Sequence, residues 1–276
     1  MDGVTVMSLR IVDWSALLDG SIHPELESAM TVGVFDGLHL GHRELIERIV
    51  RRGPNPTVVT FRENPKKVIS ADTYEGDIFS FKQKLAAFEQ LGVNQVILID
   101  FSENFSKLRG REFLDLLANI GRMVFLVVGS NFRCGYRQDT GAELIREINA
   151  RKGIPTDVVG QVALPPGFGS RPDRRCTVSS SRIRSAITEG NMALVKALTG
   201  RNMELDVSGI IPDGAVYDLR QIHRIVPASG RYAVRIQPGC IDSWADVDNG
   251  KIFLSGKPAV DRAESLEFLQ LNEYPI

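Results

Sequence analysis

Between Ala29 and Phe125 four short β-rich runs, AMTVGVF, PTVVTF, NQVILIDF and MVFLVVG, alternate with amphipathic stretches. This alternation leaves few folds open. Strands joined by helices return to the same end before each new strand begins, which produces a doubly wound parallel sheet covered by helices on both faces. His42 to Arg52 sets Leu45, Ile46, Ile49 and Val50 on one helical face, and Phe81 to Leu91 sets Phe81, Leu85, Phe88 and Leu91 at i, i+4, i+7 and i+10. Helices are expected again over Gly110 to Ile120 and Gly141 to Ala150, ahead of strands at Met123 to Val128 and Thr156 to Gly160.

The stretch ALPPGFGSRPDRRCTV then breaks the rhythm with Pro, Gly and Arg and reads as a long surface loop. Ser179 to Glu189 is expected to be a serine-capped helix, and Asn191 to Leu198 a second short one after the glycine stop at Gly190. From about Leu205 the runs shorten and alternate, as in RYAVRI and KIFLSG, between SG, PG and NG turn signals, so a small all-β module is expected. The expected division is residues 1–204 and 205–276. A chain of 276 residues is long enough for such a pair.

Charge is nearly balanced, with 33 Lys plus Arg against 34 Asp plus Glu, so nothing global pulls the chain toward nucleic acid or an anionic membrane. Any anion site has to be local. Cys134, Cys176 and Cys240 are odd in number and far apart, which argues for a reducing compartment rather than a disulfide framework. The N-terminus lacks a basic segment before an apolar run, so no secretory signal is expected and the cytoplasm is the expected location.

The local candidate is GVFDGLHLGH, Gly33 to His42, where an apolar run breaks into a helix start. A strand-to-helix corner offers unpaired amides and a partial positive charge to an anion. Gly37 and Gly41 permit close approach, and His39 and His42 can donate hydrogen bonds to phosphate oxygens. Zinc needs three or four ligands, and the neighbouring sequence offers no such set. SSSRIRS, Ser179 to Ser185, places hydroxyls and Arg182 and Arg184 in one helical turn, a pattern shared by anion sites and by ordinary capped helices. No Walker A motif is present, Gly167 to Gly169 does not follow a strand, and the basic run Arg171, Arg174 and Arg175 has no interleaved aromatics, so it reads as a solvated loop.

In order along the chain, GVFDGLHLGH, VVTFRENP, VVGSNFRCG and TVSSSRIRSAITEGNMALVKALTGR resemble blocks of the bacterial bifunctional riboflavin kinase/FAD synthetases, in their N-terminal FMN adenylyltransferase module. The resemblance covers roughly residues 28–201. It implies a Rossmann-like nucleotidyltransferase domain followed by a shortened, barrel-like β module. It also implies ATP and FMN as substrates, with Mg²⁺ accompanying ATP, and a monomer or weak oligomer.

By the same resemblance, His39 and His42 would hold the ATP phosphates while Ser180, Ser181 and Arg184 close around the β- and γ-phosphates. Asn131 would face nucleotide and flavin. Gly33, Phe35, Asp36, Gly37, Gly41, Asn64, Gly129 and Phe132 complete the expected substrate-binding set. Two positions depart from the family pattern: Asn64 replaces a histidine and Cys134 an aromatic residue. Farther on, the P-T-A-N segment of the kinase barrel is absent, which implies FAD synthesis without riboflavin kinase activity. Transfer to another phosphorylated acceptor, or flavin or nucleotide binding without turnover, are the alternatives.

Overall fold

A computed structural model describes residues 8–165, 176–255 and 262–269. Gly167 to Gly169 and the Arg171, Arg174 and Arg175 run lie outside them, as does the start of the N-terminal segment. The chain packs into two compact units. The first takes in the described residues up to Phe35, then Gly41–Asp72 and Lys84–Val162; the second takes in Asp36–Leu40, Thr73–Gln83 and the described residues from Ala163 onward.

The first unit is built on a six-stranded sheet of β1 (Arg10–Asp13), β2 (Ser28–Val32), β3 (Thr57–Phe61), β4 (Gln95–Ile99), β5 (Met123–Gly129) and β8 (Thr156–Val159), with a short hairpin of β6 (Arg133–Cys134) and β7 (Thr140–Gly141) after β5. The sheet order is β1-β4-β3-β2-β5-β8 and every pairing is parallel. Every residue of β2 and of β4 is buried, as expected of parallel strands covered on both faces. The direction of winding reverses between β2 and β5, so the carboxyl ends of those two neighbours flank the position where open α/β sheets hold ligands.

The longer helices follow from their apolar spacing. In chain order the helices are α1 (Trp14–Leu18), α2 (Leu40–Arg52), α3 (Lys66–Ile69), α4 (Phe81–Gln90), α5 (Glu103–Lys107), α6 (Gly110–Asn119) and α7 (Ala142–Ala150). On α2, Leu45, Ile46 and Ile49 are buried, whereas Val50, expected on the same face, is exposed. The sheet also holds a strand not expected from the sequence. β1 pairs parallel with β4 at the edge, so the run AMTVGVF supplies the second strand rather than the first, and its regular part stops at Val32.

In the second unit a small antiparallel pair, β9 (Ala163–Leu164) with β10 (Cys176–Thr177), precedes α8 (Ser180–Thr188) and α9 (Met192–Thr199). The serine cap is present: Ser179 Oγ accepts from the Arg182 amide at 3.2 Å. A second six-stranded sheet, entirely antiparallel, follows from β11 (Met203–Asp206), β12 (Val216–Asp218), β13 (Gly230–Gln237), β14 (Ile241–Asp248), β15 (Lys251–Leu254) and β16 (Ser265–Phe268). With the order β11-β16-β13-β14-β15-β12 it fits the small all-β module expected from the short alternating runs and the barrel-like module that the resemblance implies. No helix among the described residues is long and apolar enough to cross a membrane.

Candidate active site

In the first unit the expected residues follow the carboxyl ends of three adjacent strands. The Gly33 amide extends the β2 ladder by donating to Val59 O at 3.1 Å, after which the chain leaves the sheet. Phe35 is fully buried with φ +54°, a conformation that costs a non-glycine residue unless packing holds it. The packing is aromatic: the Phe35 ring lies edge-on to Phe88 at 5.7 Å and to the His42 imidazole at 5.1 Å. His42 is thereby fixed in the first turn of α2, next to Gly41.

After β3, Asn64 is buried, and its Oδ1 accepts from the Lys66 amide at 3.2 Å at the start of α3. After β5, the Phe132 amide donates to Gly129 O at 2.9 Å, which makes a tight turn with Asn131 exposed at its tip and Phe132 packed on the core. A Cβ at Gly129 would stand 3.2 Å from Asn131 Oδ1. Cys134 packs beside that core, and burial pushes its thiol up to about 12, so it is a protonated, uncharged neighbour.

The second unit holds the middle of GVFDGLHLGH against α8. Asp36 is buried, and its Oδ1 accepts from the amides of Ile78 and Phe79 at 3.0 and 3.1 Å while its Oδ2 pairs with the Arg184 guanidinium. Arg184, also buried, donates through Nε to Gly76 O at 3.2 Å, and Ser180 Oγ donates to Asp36 O at 2.8 Å. Burial, reinforced by the charge of Asp77, pushes the Asp36 carboxyl above its ordinary range; Arg184 and the two amides pull against it. Gly37 has φ +77°, and a Cβ there would stand 3.0 Å from Ile78 and 3.2 Å from Ile183, so the turn excludes other residues.

His39 is buried, and desolvation lowers its pKa to about 4. At neutral pH it is an uncharged imidazole, with one nitrogen able to donate and the other to accept. Ser181 is exposed at the start of α8, while Arg184 is engaged by Asp36 and Gly76. Among the described residues no group of three or more His, Cys, Asp or Glu side chains is placed to hold a metal ion.

Two cations that contact these segments were not singled out from the sequence. Arg201 donates to Gly37 O at 3.3 Å with its guanidinium 3.9 Å from the centre of the Phe79 ring, and it is the arginine that ends the quoted TGR. Lys84 is buried in the first unit and donates to Phe61 O at 2.7 Å, at the end of β3. Its i, i+3 spacing from Phe81 was the available signal, since it placed a charge on an apolar face. The strap Gly76–Phe79 has no periodicity that would have marked it.

Comparison with known proteins bears on the family. The family model described as FAD synthetase matches residues 22–166. Three curated proteins named bifunctional riboflavin kinase/FMN adenylyltransferase are similar: one from Buchnera aphidicola of Acyrthosiphon pisum is 25% identical, covering 63% of this chain and 54% of its own; one from Escherichia coli strain K12 is 27% identical, with 77% and 69%; and one from Bacillus subtilis strain 168 is 27% identical, with 85% and 73%. The chain thus spans about half the length of the Buchnera relative. In fold it is similar to the crystal structure of a macrolide-efflux protein from Streptococcus pneumoniae, with TM-score 0.76 and 21% identity over 95% of this chain and 90% of that one. Matched over more than half of its length by the family model, the chain belongs to the FAD synthetase family.

Proposed function

We propose that the chain transfers AMP from ATP to FMN, giving FAD and pyrophosphate, and that its C-terminal β module carries no riboflavin kinase activity. The observation that carries this reading is the hold on the glycine turn, where Asp36 is tied to the serine-capped start of α8 through Ser180 and Arg184. A phosphoryl-transfer site of this kind works by positioning and electrostatics and needs no protein nucleophile. An FMN phosphate oxygen attacks the α-phosphorus of ATP in line, the bond from that phosphorus to the bridging oxygen of the β-phosphate breaks, and pyrophosphate leaves with the electron pair.

In this reading His39, neutral at pH 7, donates a hydrogen bond to a phosphate oxygen, and His42 does the same from the first turn of α2, whose amides add a favourable dipole. Ser181 supplies a hydroxyl to the β- and γ-phosphates. Arg184 and Ser180 brace the loop that presents these donors. Asn131, at the tip of the turn after β5, meets the flavin side, where Asn64 and Cys134 are the departures from the family pattern. Mg²⁺ would accompany ATP and would offset part of the charge on its phosphates. The balanced charge goes with small-molecule partners rather than nucleic acid, and the chain is taken to work in the cytoplasm as a monomer or weak oligomer.

The test is to incubate the protein with FMN, Mg²⁺ and ATP labelled at the α-phosphate. Label is expected in FAD, with loss of turnover in His42→Ala. Absence of labelled FAD, or full turnover by His42→Ala, overturns the assignment.

A further inference from the structure

The strap Gly76–Phe79 faces two ways within the second unit. On one side its Ile78 and Phe79 amides hold Asp36 Oδ1, and Gly76 O accepts from Arg184. On the other it pairs with the C-terminal module. The Asp77 amide donates to His223 O at 3.3 Å, the Ile225 amide donates to Asp77 O at 3.0 Å, and Asp77 and Arg224 form a parallel bridge with their charged groups 3.9 Å apart. The approach is closed: Gly76 has φ +109°, and a Cβ there would lie 2.7 Å from Arg224 C and 2.8 Å from Ile225 N. The same module also touches α8, the helix that carries Arg184, since the Ala228 amide donates to Ile187 O near its end, and Tyr232 donates to Ala228 O.

We propose that the segment His223–Ile225 of the C-terminal β module is a positioning element for the phosphate loop, setting the strap that fixes Asp36 and, through it, the Gly37 turn and His39. The module then has a task in adenylyl transfer although it lacks P-T-A-N. Backbone pairing suits this task, because two hydrogen bonds in fixed register define both the height and the twist of the strap, and the Asp77–Arg224 ion pair fastens the same contact through side chains. The proposal rests on the reading of this loop as an ATP-phosphate site.

The experiment uses the full chain with Gly76→Ala, which pushes the strap off Arg224 and Ile225, and with Arg224→Ala and Arg224→Lys. Phe253→Ser, at an exposed position of β15, is the control. Two quantities are read: hydrogen exchange of the Ile78 and Phe79 amides, and kcat against KM for FAD formation. Gly76→Ala is expected to lose at least about tenfold in protection of those amides, and kcat is expected to fall on the order of 10- to 100-fold, the usual consequence of a misplaced donor. Arg224→Ala is expected to change both in the same direction and Arg224→Lys to restore most of the loss, which keeps the test valid if Gly76→Ala does not fold. Unchanged protection and kcat in a folded Gly76→Ala or in Arg224→Ala, or an equal loss in Phe253→Ser, overturns the proposal. If wild type makes no FAD, the reaction assignment fails, and the exchange data alone decide whether the strap is set by the module.

Discussion

Breaking the Asp36–Arg184 pair is expected to cost far more than an ordinary surface ion pair. Both side chains are nearly inaccessible, at 7% and 9% side-chain exposure for Asp36 and Arg184. Asp36→Ala would strand the Arg184 charge and leave the Ile78 and Phe79 amides without their carboxylate. Removing one partner of a buried pair costs about 3–5 kcal/mol, and each stranded amide adds its own desolvation unless water reaches it. With a urea m-value of about 2–3 kcal/mol/M, the unfolding midpoint should fall by about 1–2.5 M. The double variant Asp36→Ala/Arg184→Met should cost less than the sum of the singles by more than about 1 kcal/mol, because the second substitution removes the stranded charge.

The pH dependence of that pair has a definite sign. Asp36 is raised above its ordinary value by burial even with Arg184 beside it. In Arg184→Met the opposing cation is gone, so the carboxyl rises further, and a raised carboxyl contributes stability at low pH that is lost as pH increases through its folded value. The deficit of Arg184→Met should therefore be smallest near pH 4 and grow toward pH 8. Urea melts at several pH values measure it. Single variants that each cost under about 1 kcal/mol, or a double variant that is simply additive, would refute the reasoning that this pair holds the loop.

Three other outcomes are expected. Because His39 titrates near 4 in the folded chain against about 6.5 unfolded, stability should decline as pH falls from about 6.5 to 4, and His39→Phe should flatten that slope. An imidazole NMR titration of the folded protein showing a His39 midpoint above 6 would contradict it. Gly37→Ala should destabilise by at least about 1 kcal/mol and lower ATP affinity, since both its positive φ and the Ile78 contact forbid a side chain; calorimetric titration with ATP reads the second effect. Phe88→Ala should cost about 3–5 kcal/mol by cavity formation and, by loosening Phe35 against His42, lower kcat for FAD formation as well.

Much of the fold was legible because apolar periodicity is a local property. The runs PTVVTF and MVFLVVG became β3 and β5, and the spacing of Leu45, Ile46 and Ile49 marked the buried face of α2. β1 was not legible, because RIVD buries only Val12 among its four residues and owes its strand to pairing with β4. Val50 sat at the right spacing, yet the buried stripe of α2 is too narrow to reach it. In the candidate site, His39, His42 and the serine cap stood out as unusual residue types at a chain corner. Asp36 did so only through the motif, since its role depends on Arg184, 148 positions away, and on two amides of a strap with no sequence pattern. Long-range partners of that kind are set by packing and leave no periodic trace.

The most direct measurement sets two reactions of the purified chain side by side, FMN with Mg-ATP and riboflavin with Mg-ATP, each followed by chromatographic separation of the flavins and by pyrophosphate release. The account predicts FAD and pyrophosphate in equal amounts from FMN, abolished in His42→Ala, and no FMN or FAD from riboflavin. FMN appearing from riboflavin would contradict the inactive C-terminal module, and FMN left unchanged by the wild-type chain would contradict the adenylyl transfer itself.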